Sequence, residues 1–372
     1  MFEGFVKILK SGYLSKVFII LGIYMLTIFY AQNVLAEKET STSVSNKEFD
    51  LGKFVMDDVS DAFEWNIATF GKTNISIPLP VILHSKTTGW NFFWSSKFKH
   101  GTAEYRKFKI AKDGENDGKI VELNNDGKVT DIPLNLSITK TVAGIIVNVL
   151  LLFWIFLTVA KSAKRNKGKA PTGLQNLMEP VILFVRDEVA KPTIGEKRYE
   201  KFLPFLLTIF FFILISNLTG LIPVFPLGAN VTGNIAVTMV LALFTFVITT
   251  FSGNKHYWKD IYNPDVPFWL KFPIPLMPIV ELTGVFTKPF VLMIRLFANM
   301  IAGHMIIAVF VSLIFFFATM AGNFAGYGVS VISVFFSVFM TLLDFLVSFI
   351  QAYVFTLLSA LYFGMATEEH HS

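Results

Sequence analysis

The sequence predicts an all-α polytopic membrane protein with a long, strongly tilted C-terminal helical hairpin and a small, partly β exported N-terminal domain. Three observations predict it. The 372 residues are 53% hydrophobic, with 41 Phe and a mean hydropathy of +0.57, above the roughly 45–50% apolar share of soluble domains. Apolar runs long enough to cross a bilayer recur after residue 136, with cations at their ends. Residues 37–136 are instead charged and punctuated by Asp-Gly turns. The formal charge of +5 and pI near 9.1 mark topology rather than nucleic-acid binding, because the basic residues form no stripe with interleaved aromatics. Cys is absent, which removes disulfides, thiolate metal sites and cysteine nucleophiles.

The elements follow in order. Lys7, Lys10 and Lys16 precede the apolar run "VFIILGIYMLTIFY", and Val34 and Ala36 then stand where a signal peptidase reads. A run this short predicts a signal peptide over 1–36, with an N-terminal anchor as the alternative. Residues 37–136 contain Trp65, Trp90 and Trp94 and turns at Asp113-Gly114, Asp117-Gly118 and Asp126-Gly127, flanked by the alternating "YRKFKIA" and "KIVEL". That pattern predicts hairpins of an exported, partly β domain. "DGENDG" resembles the start of a calcium loop, but its twelfth position is Asn124 rather than a bidentate Glu, and turn chemistry explains it better.

The membrane domain, 137–372, should hold about five membrane helices. A first span over 137–160 ends in "KSAKRNKGKA", whose cations place that end in the cytoplasm. Residues 174–191 read as an amphipathic helix interrupted by Pro180 and lying along the membrane interface. Spans over 202–222 and 235–251 flank a turn without Lys or Arg, and Lys255, Lys259 and Lys271 mark the following loop as cytoplasmic. Two long segments, about 281–320 and 327–362, are joined by the uncharged "AGNFAGYG". Helices over 288–320 and 327–362 would be about 50 and 54 Å long, against a hydrocarbon core near 30 Å. Ordinary tilt of around 20° cannot absorb that excess, so the pair should lie flat or kink, with Pro289, Gly284 and Gly303 as places to bend.

Polar residues on this pair fall into stripes. At about 100° per residue, Glu281, Lys288, Arg295 and Asn299 lie within about 40° of one another, and His304 falls on the opposite face. On the last segment Ser330, Ser337, Asp344 and Gln351 recur every seven residues, with Ser348 and Tyr362 near the same line. Such stripes must face protein or water. The serines are explained by helix packing. Intramembrane charges mark function, because an arginine at a helix centre costs roughly 2.5–3.5 kcal/mol on insertion scales. Arg295 is the one Arg after Arg198. An Arg295–Asp344 ion pair would account for its burial, though not for Gln351, Asn299 and His304.

These residues resemble a known family. "KPFVLMIRLFANMIAGH", "SNLTGLIPVFP", "VILFVRDEV" and "DFLVSFIQAYVFTLLSALYFGMATEEH" look like subunit a of the membrane sector of F-type ATP synthases, over roughly 137–370. The resemblance implies a stator subunit that is not catalytic alone, without cofactor, in a bacterial inner membrane; the charge rule, independently, sets residues 37–136 periplasmic or extracellular and the C-terminus cytoplasmic. It implies a c-subunit ring, a subunit b stalk and the remainder of the ATP synthase as partners, and two offset half-channels that carry H⁺, in preference to Na⁺, to and from a ring carboxylate. Arg295 would be the family's essential arginine and Gln351 its partner. With the turn "AGNFAGYG" placed outside by its lack of charge, His304, Asp344, Asn217 and Asn234 should line the outer path and Glu281 with Lys288 the inner one, while Asn299 belongs to the proton path without an assigned side. Many bacterial relatives resemble a pattern with Glu at position 304 and His at 344; here acid and imidazole are exchanged. A broken-helix secondary transporter is the alternative, although no repeat is visible. An enzyme site ranks third, since no nucleotide loop, metal-ligand spacing or nucleophile–base set is apparent.

Overall fold

The computed structural model describes residues 61–70, 73–99, 101, 103–111, 118–124, 129–166, 169–222, 226–262 and 276–368. The expected signal peptide, the turns at Asp113-Gly114 and Asp126-Gly127, and Lys271 lie outside them. The chain divides into two compact units. The described part of the first, Trp65–Ile77, belongs to the two-stranded sheet of β1 (Glu64–Phe70) and β2 (Thr73–Pro78). The second takes in 61–64 and 78–368.

The second unit begins with two antiparallel three-stranded sheets. β3 (Pro80–Ser85) lies between β4 (Gly89–Trp94) and β8 (Leu134–Asn135), and β6 (Ile120–Leu123) between β5 (Phe108–Ile110) and β7 (Val129–Asp131). Alternation along β3 turns Val81, Leu83 and Ser85 inward, where the two valine and leucine side chains join Phe98, Phe108 and Ile120 in a core. Glu122 is buried with them and accepts hydrogen bonds from Ser85 Oγ, at 2.5 Å, and from Thr87 Oγ1. Those two hydroxyls satisfy a carboxylate that would otherwise be costly to bury.

The membrane domain follows within five residues of β8. Five helices are long and apolar enough to cross a membrane among the described residues. α1 (Lys140–Arg165) is capped by Thr139, whose hydroxyl accepts from the Val142 amide, and ends on Lys164 and Arg165, which suit the negative end of the helix dipole. α2 (Leu174–Phe184) runs through Pro180, continues as a π-helical turn over Val185–Ala190 and closes with α3 (Lys191–Ile194). Pro180 therefore does not interrupt this helix as the sequence suggested. Asp187 accepts from Arg186 at 2.9 Å and Lys191 at 2.8 Å. Arg186 first and Lys191 second hold its carboxyl far below the usual carboxylate range.

α4 (Tyr199–Gly220), the most enclosed span, buries Phe202, Leu206, Ile209, Phe210, Phe211 and Ile213. α5 (Ile235–Ser252) returns and α6 (Lys255–Tyr262) follows. The last two helices are longer than the sequence predicted: α7 is Leu276–Ala321 and α8 is Asn323–Thr367. At 1.5 Å per residue they reach about 69 and 68 Å. The hairpin turns at Gly322 alone, whose φ of +83° suits glycine, and not over the whole of "AGNFAGYG". Helix continues because Gly326 lets Ala318 approach: a Cβ there would lie 2.8 Å from the Ala318 Cβ. Close packing of that kind outweighs the roughly 1 kcal/mol cost of a helical glycine.

Contacts down the hairpin set its register. After Ala318 with Gly326 come Phe310 stacked on Phe336 at 5.6 Å, Asp344 over Gly303, and Lys288 over the Tyr362 ring at 5.6 Å. α2 and α4 brace α8 through Phe184–Tyr353 at 5.5 Å and Phe202–Phe363 at 4.9 Å. Asn254, after α5, donates its backbone amide to the Ala366 carbonyl and its side-chain amide to that of Thr367, closing carbonyls that end α8. Ser330 and Ser348 are buried but donate to carbonyls of their own helix, so they contribute smallness to packing rather than bonds between helices.

Candidate functional site

Arg295 lies midway along α7 on an exposed face. Leu292, Leu296 and Met300 are buried on the other side of the helix and hold that face outward. Asn299, one turn on, is exposed on the same face, and Ala298 and Ala302 are exposed beside it. Arg295 makes no hydrogen bond or ion pair with a described residue, so the expected alternative of an Arg295–Asp344 pair is not present. Gln351 is buried to 8% exposure on α8. The hairpin register brings it to about the level of Arg295, without a hydrogen bond between them.

A polar cluster occupies the half of the bundle nearest the hairpin tip. The Asp344 carboxylate sits directly over Gly303, where an added Cβ would lie 2.7 Å from both carboxylate oxygens. His304 is the next residue, and its Nε2 reaches Gly220 at the end of α4, 3.8 Å from the position of a Cβ there. Asn217 is fully buried, accepts from Thr232 Oγ1 at 2.6 Å and donates to the Ser348 carbonyl at 3.5 Å, one turn along α8 from Asp344. Oδ2 of Asp344, Nδ2 of Asn230 and Oγ of Ser337 are buried without hydrogen-bond partners. Buried polar groups are ordinarily bonded to protein or ordered water, so this region has unused bonding capacity. Asn234 stands apart: its side chain accepts from the Ala236 amide and caps α5.

A second polar region lies at the open end of the hairpin. Lys288, Tyr362, Thr245, Thr249, Thr250 and Tyr257 line an open cleft of about 340 Å³ together with apolar side chains. Thr250 Oγ1 is buried there without a partner. Glu281 is half-buried one further stretch of α7 away. Burial and, less strongly, the Glu281 charge push the Tyr257 phenol above its usual range. Arg295 lies between the two regions, seven residues from Lys288 and nine from His304, or about 10 and 13 Å along the helix.

Sequence reasoning missed Asn148, Ser216, Thr219 and Thr232. Asn148 on α1 is buried, donates to Ser216 Oγ at 3.1 Å and accepts from Thr219 Oγ1 at 2.9 Å, extending the tip-side cluster to a fourth helix. Its signal is present in the sequence, because an Asn inside an apolar span is costly unless partnered. Thr232 lies in a loop read for its lack of charge alone.

Comparison with known proteins fits this arrangement. The ATP synthase A chain family matches residues 142–364, more than half of the chain, and Domain of unknown function (DUF8433) matches 54–140. ATP synthase subunit a of Chloroherpeton thalassium is 44% identical over 63% of this chain and 69% of its own length. ATP synthase subunit a 2 of Chlorobaculum tepidum is 45% identical over 64% and 65%, and ATP synthase subunit a of Myxococcus xanthus is 43% identical over 64% and 75%. The chain is a multi-pass membrane protein that belongs to the ATP synthase A chain family, the proton-translocating membrane component of a multi-subunit complex.

Proposed function

We propose that this chain is the stator proton channel of a rotary ATP synthase, offering two offset half-channels to a c-subunit ring and an arginine that promotes deprotonation of the ring carboxylate. The observation that carries the reading is Arg295, exposed and without a hydrogen bond or ion pair to a described residue, with one polar region on each side of it along the hairpin. Arginine stays protonated, so it does not relay the proton itself. It attracts a passing carboxylate, favours its ionised form and blocks a direct leak between the two routes. The charge it needs then comes from the ring, and Ala298 and Ala302 beside it leave room for a helix to approach.

The tip-side route runs past Asn217, Asp344 and His304, with Asn148, Thr219 and Thr232 behind them. The open-end route runs through the cleft of Lys288, Tyr362 and Tyr257 and past Glu281. Asn299 and Gln351 flank Arg295, and Asn234 acts as a cap. Lys161, Lys164 and Arg165 at the end of α1 put the open end in the cytoplasm of a bacterial inner membrane. The tip and residues 37–136 then face the periplasm or exterior, and the C-terminus the cytoplasm. The ion is H⁺, no cofactor is required, and a subunit b stalk completes the stator. Membrane vesicles carrying Arg295→Ala test the reading: they should retain the inserted subunit and lose both ATP-driven proton pumping and proton-driven synthesis. Normal coupled synthesis would overturn it.

A further inference from the structure

The three-stranded sheet β4-β3-β8 has one face packed on a core and one bare. Its register decides which residues share the bare side. Trp90 pairs with His84, which pairs with Leu134; Phe92 pairs with Ile82; Trp94 pairs with Pro80. Beyond β8 the chain keeps this pairing, since Leu136 donates to the Ile82 carbonyl and Ile138 to that of Pro80. Directly opposed residues point to the same face, so three rows of apolar side chains lie side by side. Trp90, Phe92, Trp94, Leu134 and Leu136 are 53–64% exposed, whereas Val81, Leu83 and Asn91, pointing the other way, are buried.

We infer that this aromatic face is a membrane anchor that lies in the headgroup region of the bilayer crossed by α1. Chain continuity argues for lipid over a protein partner. The last row ends at Ile138, and α1 begins at Lys140, so the sheet passes into a membrane helix with a single residue between. Exposed apolar side chains also continue along that helix as Val142, Ile146 and Leu150. Composition agrees: Trp prefers the membrane–water boundary, where its ring is shielded and its N–H stays wet. Lys86 in the β3–β4 turn and Lys97 and Lys99 after β4 bracket the aromatic strand in sequence, although Lys86 is paired with Asp131 at 3.1 Å and Lys97 lies over the Tyr105 ring, so the aromatic face itself carries the argument. Faces of this kind settle about 5–10 Å into the headgroup boundary. The anchor would fix the exported sheets against the bilayer beside the tip-side route, independently of the proton-channel reading.

The chain has no Cys, so Phe92→Cys and, separately, Trp90→Cys accept a single nitroxide label in the full chain. Each variant would be reconstituted in phosphatidylcholine–phosphatidylglycerol liposomes, with Ile146→Cys as a lipid-facing reference and Lys119→Cys as a water-facing one. Collision with oxygen and with a water-soluble nickel chelate is then read by electron paramagnetic resonance. Labels at 90 and 92 should favour oxygen over nickel, as the label at 146 does, whereas the label at 119 should favour nickel. A nickel-accessible label at both sites in liposomes overturns the anchor. So does a label shielded from both reagents, which would mean a protein partner or a second copy covers the face.

Discussion

Arg295 is exposed while most cations of a membrane helix are hidden, and a charge presented outward is useful only to something that arrives from outside the chain. Lysine should not replace it. Arg295→Lys is expected to lose coupled transport as Arg295→Ala does, because an ammonium lacks the planar bidentate fork and gives up its proton more readily in an apolar setting; vesicle pumping assays check this. His304 and Asp344 are expected to act as one proton-handling unit, since Asp344 lies over the residue next to His304 and an imidazole can both donate and accept a hydrogen bond. A double-mutant cycle on proton flux with His304→Ala, Asp344→Asn and both should show strongly non-additive losses. Losses that simply multiply would separate the two residues. Gly303→Ala sharpens the point. Its new Cβ meets the end of a movable side chain, so the fold should survive with nearly unchanged thermal stability while flux falls several-fold.

Elements hold these residues by close approach, and the glycines differ in what opposes them. At Gly364 an added Cβ would lie 2.1 Å from the Thr193 backbone carbonyl, which cannot swing aside. Gly364→Ala should therefore force α3 off α8 and cost about 1–3 kcal/mol, seen as a lowered melting temperature in detergent and a loss of assembled complex. The π-helical turn before α3 carries a surface ion group whose sign is fixed. Asp187 has a depressed folded pKa, so its stabilising effect is complete above the ordinary carboxylate value of about 3.9 and is lost as pH falls through the lower folded value. Asp187→Asn should speed amide exchange in residues 185–190 at neutral pH and make no difference in strong acid. Neither effect was legible in the sequence: nothing in it brings Gly364 against Thr193, and Pro180 predicted a break in the helix that leads to Asp187. Period and length, by contrast, showed the two polar stripes and the hairpin, because polar groups on a membrane helix must face protein or water rather than lipid.

Across the whole molecule, sequence reasoning reached the number of spans and the exceptional hairpin, since each depends on solvation costs that composition exposes. It fell short where backbone geometry decides. The turn contracted to Gly322, Asn234 became a helix cap, and Asn148, Ser216 and Thr219 joined α1 to α4 through bonds that only tertiary packing creates. In the proposed mechanism, two polar routes open to opposite sides and meet only at Arg295. Cysteine accessibility in the Cys-free chain tests it most directly. Single cysteines at 344 and 281, probed with a membrane-impermeant thiol reagent in right-side-out and inverted vesicles, should be labelled from opposite sides, 344 from the exterior and 281 from the cytoplasm. Labelling of both positions from one side, or of 344 from the cytoplasm alone, would contradict the account.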